Sequence, residues 1–128
     1  MKSVICALNG YDGSEMFSVT DANLLINTTC SVAIGDIDND GYPEIVACDS
    51  SGFRLIAFES DGSFKWRSGN LETNYWGAPS IADLDKDGSP EIIIGRQVLN
   101  NNGTLLWTGN GGKGSQGSAG PLSLVSGW

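Results

Sequence analysis

The sequence contains one loop motif twice, and this motif decides the fold. The first copy reads Asp36-Ile37-Asp38-Asn39-Asp40-Gly41-Tyr42-Pro43-Glu44, and the second reads Asp83-Leu84-Asp85-Lys86-Asp87-Gly88-Ser89-Pro90-Glu91. Both copies lie between short apolar runs rich in Ile, Val and Ala. Turns in any protein favour Asp, Asn and Gly. Chance does not, however, duplicate three aspartates, a glycine, a proline and a glutamate at one spacing, so we interpret the copies as functional loops.

The carboxylates of each loop are spaced as metal ligands. Three aspartates at alternate positions repel one another when bare, whereas Ca²⁺ prefers six to eight oxygens from carboxylates, carbonyls and water. We therefore expect two Ca²⁺ sites with five protein ligands each. The expected ligands are the carboxylates of Asp36, Asp38, Asp40 and Glu44 with the carbonyl of Tyr42, and the carboxylates of Asp83, Asp85, Asp87 and Glu91 with the carbonyl of Ser89.

These loops differ from the helix-flanked calcium loop of EF-hands. The glutamate stands at loop position 9 instead of position 12. Pro43 and Pro90 come just before it and disfavour a continuing helix. The β-branched residues that follow each glutamate are typical of strands. The sequence therefore predicts a site between two strands.

Composition excludes several classes of function. The 128 residues carry a net charge of −8, and eight of the fifteen acidic residues belong to the two loops. Two bound Ca²⁺ ions would leave a formal charge of about −4, so the acidic excess is explained by metal binding and nucleic acid is a poor partner. The absence of histidine excludes Ser-His-Asp triads and histidine zinc sites. No segment approaches the roughly 18 apolar residues of a membrane helix.

The three cysteines do not define a redox or zinc motif. Cys6, Cys30 and Cys48 lack C-x-x-C spacing. One disulfide with an odd thiol is compatible with this spacing, as are three free cysteines buried in strands, which we favour.

A second duplicated element, a hairpin, follows each loop. The turns Asp61-Gly62 and Asn102-Gly103 separate apolar runs, and a half copy with Asp12-Gly13 stands near the start. Such turns are strong hairpin signals because they need positive φ. An aromatic residue follows each turn glycine by four positions, and we expect it to pack between neighbouring sheets. The residues expected to be mostly buried are Ile45, Val46, Leu55, Ile56, Trp66, Ile92, Ile93, Leu106 and Trp107, with Phe17 as the third aromatic of the series.

These elements predict an all-β protein built of repeats. A unit of four short antiparallel strands in 40–50 residues is typical of a β-propeller blade. We assign residues 1–20 to a partial blade, 30–69 and 77–110 to two full blades with calcium loops, and 111–128 to a Gly-rich loop and the start of a further blade. Closed propellers have about four to eight blades, so this is an incomplete ring. We expect self-association or membership of a larger propeller.

The loops with their Ala-Ile-Gly and Glu-Ile-Val flanks closely resemble FG-GAP/VCBS repeats. These are the calcium-binding blades of integrin α-subunit propellers and of many bacterial surface proteins. Gly77-Ala78-Pro79 matches the Gly-Ala-Pro tag, whereas the first unit has Cys30-Ser31-Val32. The resemblance implies structural calcium in an extracellular or cell-surface protein that recognises a protein or glycan. Exposed candidates for recognition are Tyr75, Trp76 and Trp128, with packing in the core as an equal alternative for each. Residues 1–8 read as a strand, not as a signal peptide.

An enzymatic alternative remains open at this point. Some polysaccharide lyases acting on rhamnogalacturonan also resemble this pattern of calcium loops and hairpins. A lyase needs a base and charge stabilisers that converge on the uronate, often with calcium. The cationic candidates are Lys65, Arg67 and Arg96, but nothing in their spacing singles them out. We therefore expect a non-enzymatic module, with a calcium-dependent polysaccharide lyase as the alternative.

Overall fold

The computed structural model describes residues 2–72 and 77–111, and these residues form strands with a single short 3₁₀ turn. The turn spans Ala22–Leu24. The strands are β1 (Lys2–Ser3), β2 (Cys6–Leu8), β3 (Glu15–Ser18), β4 (Ile26–Asn27), β5 (Ala33–Gly35), β6 (Glu44–Cys48), β7 (Leu55–Phe58), β8 (Phe64–Arg67), β9 (Ser80–Ala82), β10 (Glu91–Ile94), β11 (Gln97–Leu99) and β12 (Leu105–Thr108).

Each full unit forms one four-stranded antiparallel sheet. The strand orders are β5-β6-β7-β8 and β12-β11-β10-β9, so every strand pairs with its neighbour in the chain. The half unit forms the hairpin β2-β3, and β1 pairs with β4. The prediction of an all-β chain with four-stranded antiparallel sheets is confirmed. The pair β1-β4 was not predicted, because strands of two residues leave no periodic pattern in a sequence.

The first four-stranded sheet is buried on both faces. Successive side chains of a strand point to opposite faces, and each face joins a different core cluster. On β6 and β7, Val46, Cys48, Leu55 and Ala57 join one core cluster, which reaches Ile92 and other residues of the second sheet. The residues between them face the opposite way and pack on the N-terminal segment, forming a second cluster of Ile5, Val19, Ile26, Ala47, Ile56 and Phe58. The sheet is therefore stacked between the half unit and the second unit.

A ring-on-glycine contact joins each unit to the next. A Cβ built on Gly62 would lie 2.6 Å from ring carbons of Phe17, and one built on Gly103 would lie 2.6 Å from Trp66. Both glycines have positive φ, 86° in each case. The indole Nε1 of Trp66 also donates a hydrogen bond of 2.9 Å to the carbonyl of Asn101. The aromatic residue of one hairpin thus lies directly against the turn of the following hairpin.

The burial predictions hold for the central strands and fail for the last one. Val46, Leu55, Ile56, Ile92 and Ile93 are at most 1% exposed, while Ile45 and Trp66 are partly buried. The prediction was wrong for two residues of β12, since Leu106 is 47% and Trp107 is 49% exposed. β12 is an edge strand of the second sheet, and among the described residues no further hairpin covers it.

The three cysteines are not joined by a disulfide, and only Cys48 is fully buried. The expectation of three cysteines buried in strands was wrong for Cys30, which is half-buried and outside the strands, and for Cys6, which is exposed. Its strand, β2, belongs to a two-stranded hairpin that leaves residues open to solvent. The candidates Tyr75, Trp76 and Trp128 lie outside the described residues, as does most of the segment 111–128 that was predicted to begin a further blade.

Candidate metal centres

The two acidic loops have the same backbone conformation. Each loop connects the first and second strands of its sheet, β5 to β6 and β9 to β10. Asn39 and Lys86 occupy equivalent positions with φ of 62° and 63°, and Gly41 and Gly88 have φ of 90° and 93°. Left-handed conformations are costly for residues with a side chain such as Lys86. Their exact recurrence indicates that the loop geometry is set by the shared acidic motif.

The first aspartate of each loop holds the turn together. The carboxylate of Asp36 accepts hydrogen bonds from the amides of Asp40 and Gly41 at 3.2 and 3.0 Å. In the second loop Asp83 accepts from Asp87 and Gly88 at the same two distances. These bonds draw the backbone into a tight coil, which brings the remaining carboxylates close together.

Glu44 closes the first loop from inside the protein. It is completely buried, and its Oε2 accepts a hydrogen bond of 2.8 Å from the amide of Ile37. Its Oε1 is buried without any hydrogen-bond partner. Burial raises the pKa of Glu44, the hydrogen bond from Ile37 opposes this shift, and the charge of Asp38 adds to it. An unpartnered buried carboxylate oxygen at an acidic loop fits a cation that is its missing partner.

The second loop repeats the burial of the glutamate and its hydrogen bond to the loop backbone. Glu91 is also buried, and its Oε2 accepts from the amide of Leu84 at 2.8 Å. Both glutamates therefore fix the far end of their loop to its beginning while presenting a carboxylate to its interior.

The carboxylates that lie close enough to share one cation differ in part from the expected set. Within each group the ligand oxygens all lie within 4.8 Å of one another, and the groups are Asp38, Asp40, Glu44 and Glu59 in the first loop, and Asp83, Asp85 and Glu91 in the second. Asp36 and Asp87 are not members of these groups. Asp36 accepts the two loop amides, and Asp87 accepts a hydrogen bond of 2.7 Å from the amide of Ser89. Their counterparts Asp83 and Asp40 accept the equivalent bonds and still belong to a group, so these bonds do not explain the difference. The carbonyl roles of Tyr42 and Ser89 stay predictions.

Glu59 and Lys65 distinguish the first centre from the second. They lie on the hairpin β7-β8, and the ammonium of Lys65 is 2.6 Å from Asp38 Oδ2 and 2.8 Å from Glu59 Oε1. Hydrogen bonding to Lys65 holds the pKa of Asp38 below its usual value. Burial opposes the charge on Lys65, but the two carboxylates outweigh burial and raise its pKa. The duplicated motif gave no sign of either residue, because Asn100 and Leu106 stand at the equivalent places in the second unit.

Replacing Lys65 with methionine is therefore expected to strengthen calcium binding at the first loop and leave the second unchanged. Methionine keeps much of the apolar stem but removes a positive charge that competes with a cation for Asp38. We expect the dissociation constant of the first site to fall about three- to tenfold, as befits one partly screened unit charge. Isothermal titration calorimetry at low salt, with Leu106→Met as the matched change at the second loop, measures this. Weaker binding would mean that Lys65 instead holds the carboxylates in a binding geometry.

The two centres are linked to each other and to the packing of the units. The side-chain amide of Asn39 donates to the carbonyl of Gly88 at 2.8 Å, so the loops touch directly. Asn101, in the second hairpin, donates to the carbonyl of Ile37 at 2.8 Å, and its own carbonyl receives the indole of Trp66. Hydrogen bonds thereby connect the first loop to the contact between the two sheets.

The cationic residues considered for lyase chemistry all have acidic partners. Lys65 contacts Asp38 and Glu59 as above. Arg67 lies 3.7 Å from the buried carboxylate of Asp49, and Arg96 Nε lies 3.0 Å from Glu72 Oε2. Lys65 and Arg67 both lie on β8, but the three side chains contact different acids.

Among residues 2–72 and 77–111, no helix is long and apolar enough to cross a membrane. This finding agrees with the absence of a long apolar segment from the sequence.

Comparison with known proteins identifies the repeated segment. Residues 36–94 match the family model of the FG-GAP-like repeat. No curated protein matches the chain. Among solved structures, the chain is similar to the biofilm matrix protein Bap1 of V. cholerae, with a TM-score of 0.54 and 20% sequence identity over 84% of this chain. The match spans 24% of that protein, and at this identity it shows a shared fold alone. The segment containing both acidic loops thus matches the FG-GAP-like repeat, which is the family that the sequence resembles.

Proposed function

We propose that this chain is a calcium-binding repeat module of an extracellular or cell-surface protein, and that calcium acts structurally. The observation that carries the proposal is the buried Oε1 of Glu44, which has no hydrogen-bond partner and belongs to a group of four carboxylates within 4.8 Å. A calcium ion would supply positive charge and coordination to these oxygens. Asp38, Asp40, Glu44 and Glu59 would hold it at the first loop, and Asp83, Asp85 and Glu91 at the second.

The contribution of the chain itself is to preorganise each loop. Asp36 and Asp83 accept hydrogen bonds from backbone amides of their loops. Glu44 and Glu91, at the start of the second strand, accept hydrogen bonds from the amides of Ile37 and Leu84 near the start of the loop. This leaves several like charges in a small volume, which destabilises the folded loop until they are neutralised. The amide of Asn39 and the indole of Trp66 then connect the ordered loops to the inter-unit contacts.

We further propose that the units are blades of a propeller-type assembly. The first strands of the two sheets lie side by side, since a Cβ on Gly35 would lie 3.3 Å from Ile81. The outer hairpins are also in contact through Trp66 and Gly103. Sheets that touch at both their first and last strands are stacked in the manner that repeat proteins use to bury both faces of each unit.

The proposed role of the module is recognition of a protein or glycan, or assembly, without catalysis. FG-GAP-like sequence in the chain and a structural neighbour that is a biofilm matrix protein both support a place outside the cell. Millimolar calcium suits the weaker extracellular class of sites. The separate ion pairs of Lys65, Arg67 and Arg96 favour this role over a lyase.

Thermal unfolding in calcium and in chelator tests the structural role of the ion. With free calcium tenfold above the dissociation constant, each site adds about 1.4 kcal/mol to the free energy of unfolding. Two sites are then expected to raise the melting temperature by roughly 10 °C for a domain of this size. Mg²⁺ should substitute poorly, because it demands a tighter octahedral shell and retains its waters. Identical melting in excess calcium and in EDTA would contradict the proposal.

An assay for unsaturated sugar products tests the lyase alternative. We expect no calcium-dependent rise in ultraviolet absorbance when the chain is incubated with pectic polymers. A rise that disappears in Lys65→Met or Arg96→Ala would replace the recognition proposal with the enzymatic one.

A further inference from the structure

Among the residues that the structure describes, the ring-on-glycine joint has a third ring without a covering turn. Phe17, Trp66 and Trp107 occupy equivalent places in their hairpins, paired with Ala7, Ala57 and Val98 on the preceding strand. Phe17 lies against Gly62 and Trp66 against Gly103, and both rings are partly buried. Trp107 is 49% exposed. Within residues 2–72 and 77–111, no turn glycine lies against it.

Within the described residues, the joint also has a third turn without a ring, at the opposite end of the stack. Gly13 has a positive φ of 76°, near the 86° of the covered turn glycines, yet a Cβ built on it would meet no atom within 4 Å. Tyr11, in the same turn, is 97% exposed. This turn is one residue longer than the covered ones, since the amide of Gly13 donates to the carbonyl of Asn9 while those of Gly62 and Gly103 donate three residues back. An uncovered turn and an uncovered ring are therefore related halves of the contact that the chain already makes twice.

The last residue of the strand before each turn shows which side of its hairpin faces the preceding unit. Phe58 and Leu99 lie on the strand before their turns and are fully buried against the preceding unit. Leu8 is their equivalent in the half unit, by its pairing with Glu15, and it is 60% exposed. The half unit therefore presents an apolar surface formed by Leu8 and the Gly13 turn, which we call the turn face. β12 presents the ring face, formed around Trp107.

We propose that two copies of this chain associate head to tail, with the ring face of one copy docked on the turn face of the next. The contact continues the internal series, so that Trp107 takes the place against Gly13 that Trp66 takes against Gly103. The inference rests on the repeat-module proposal and deepens it by naming the partner. It does not require bound calcium, so the two proposals can fail separately.

The chemistry of the two faces favours a second copy over an unrelated partner. The sequence contains three turns of the form Asp/Asn-Gly-Ser/Thr followed by the aromatic residue, and the other two are already occupied. The indole of Trp66 donates to the carbonyl of Asn101, two residues before the turn glycine. Trp107 has the same indole donor. In the first turn that carbonyl belongs to Tyr11. Because the faces differ, the association is heterologous, and it closes into a ring or continues as a filament.

The copies carry a net charge of −8 each, so they repel one another over long range. Salt screens this repulsion and leaves the apolar joint intact. Association is therefore expected to strengthen between 20 and roughly 300 mM NaCl, in contrast with an interface held by ion pairs.

Complementation between two face-specific variants tests the proposal. Trp107→Ala removes the ring face, and Gly13→Asn fills the space above the turn with a side chain that tolerates positive φ. Each variant alone keeps one intact face, whereas an equimolar mixture restores one ring face and one turn face. Gly69→Asn is the matched control, since Gly69 belongs to neither face and a Cβ there also meets nothing within 4 Å. Sedimentation velocity in EDTA and in calcium, with circular dichroism to check folding, gives the mass of each species.

The wild type and Gly69→Asn are expected to form concentration-dependent oligomers in the micromolar range. Each face variant should weaken self-association at least about tenfold, as loss of a central aromatic anchor does, and the mixture should form a dimer and nothing larger. A wild type that stays monomeric at high micromolar concentration in 300 mM NaCl would overturn the proposal. So would variants that oligomerise like the wild type, or a mixture that forms no dimer.

Discussion

Glu44→Gln is expected to stabilise the protein in chelator and to destabilise it in calcium, relative to the wild type. Glutamine has the shape of glutamate and can still accept the hydrogen bond from the amide of Ile37. Without metal, it removes a buried negative charge whose Oε1 has no partner. Leaving such a group unsatisfied costs about 1–3 kcal/mol, so the variant should melt several degrees higher than the wild type in EDTA.

In calcium the order is expected to reverse, because a neutral amide is a far weaker ligand than a carboxylate for a hard cation. We expect the first site to lose at least about a hundredfold in affinity, the upper range for disturbing a metal's immediate surroundings. Glu91→Gln is the matched change in the second loop. Equal destabilisation with and without calcium would mean that Glu44 serves as a hydrogen-bond acceptor only.

Gly103→Ala is expected to lower the free energy of unfolding more than Gly13→Ala does. The new Cβ would lie 2.6 Å from Trp66, and the backbone has a φ of 86°. A left-handed conformation costs a residue with a side chain about 1–2 kcal/mol. Overpacking against the ring adds about 1–3 kcal/mol. Because Trp66 is held by a hydrogen bond to Asn101, the ring cannot move away freely.

Gly13→Ala separates these two costs. Its φ of 76° imposes similar backbone strain, but its Cβ would meet nothing within 4 Å. Urea unfolding at low micromolar concentration should therefore show about 1–2 kcal/mol of destabilisation for Gly13→Ala and about 3 kcal/mol or more for Gly103→Ala. Equal losses would show that the ring-on-glycine contact is loose enough to absorb a methyl group.

The local elements of the fold could be predicted from the sequence because each one carries its own signal. The D-x-D-x-D-G loops placed the start of β6 at Glu44 and that of β10 at Glu91, and the Gly62 turn placed β8. The sequence predicted that the consecutive residues Ile45 and Val46 are buried, and in the structure Val46 joins one core cluster while Ile45 packs against the other. The exposure of Trp107 could not be predicted, because burial depends on a neighbouring unit and not on the residue.

The candidate centres could be predicted only as far as the duplicated motif extends. The sequence indicated Asp38, Asp40 and Glu44 as neighbours, and the structure brings them together. It did not indicate Glu59 or Lys65, which reach the first loop from a hairpin 15 or more positions further along the chain. Such contacts arise from the pairing of strands within a sheet. The second unit does not repeat them.

The number of calcium ions bound per chain tests the central claim most directly. Equilibrium dialysis against millimolar calcium, followed by elemental analysis of calcium and protein, gives this number without reference to stability. We predict two ions for the wild type, one each for Glu44→Gln and Glu91→Gln, and none for the double variant. A wild type that binds no calcium, or a double variant that still binds two ions, would contradict the account.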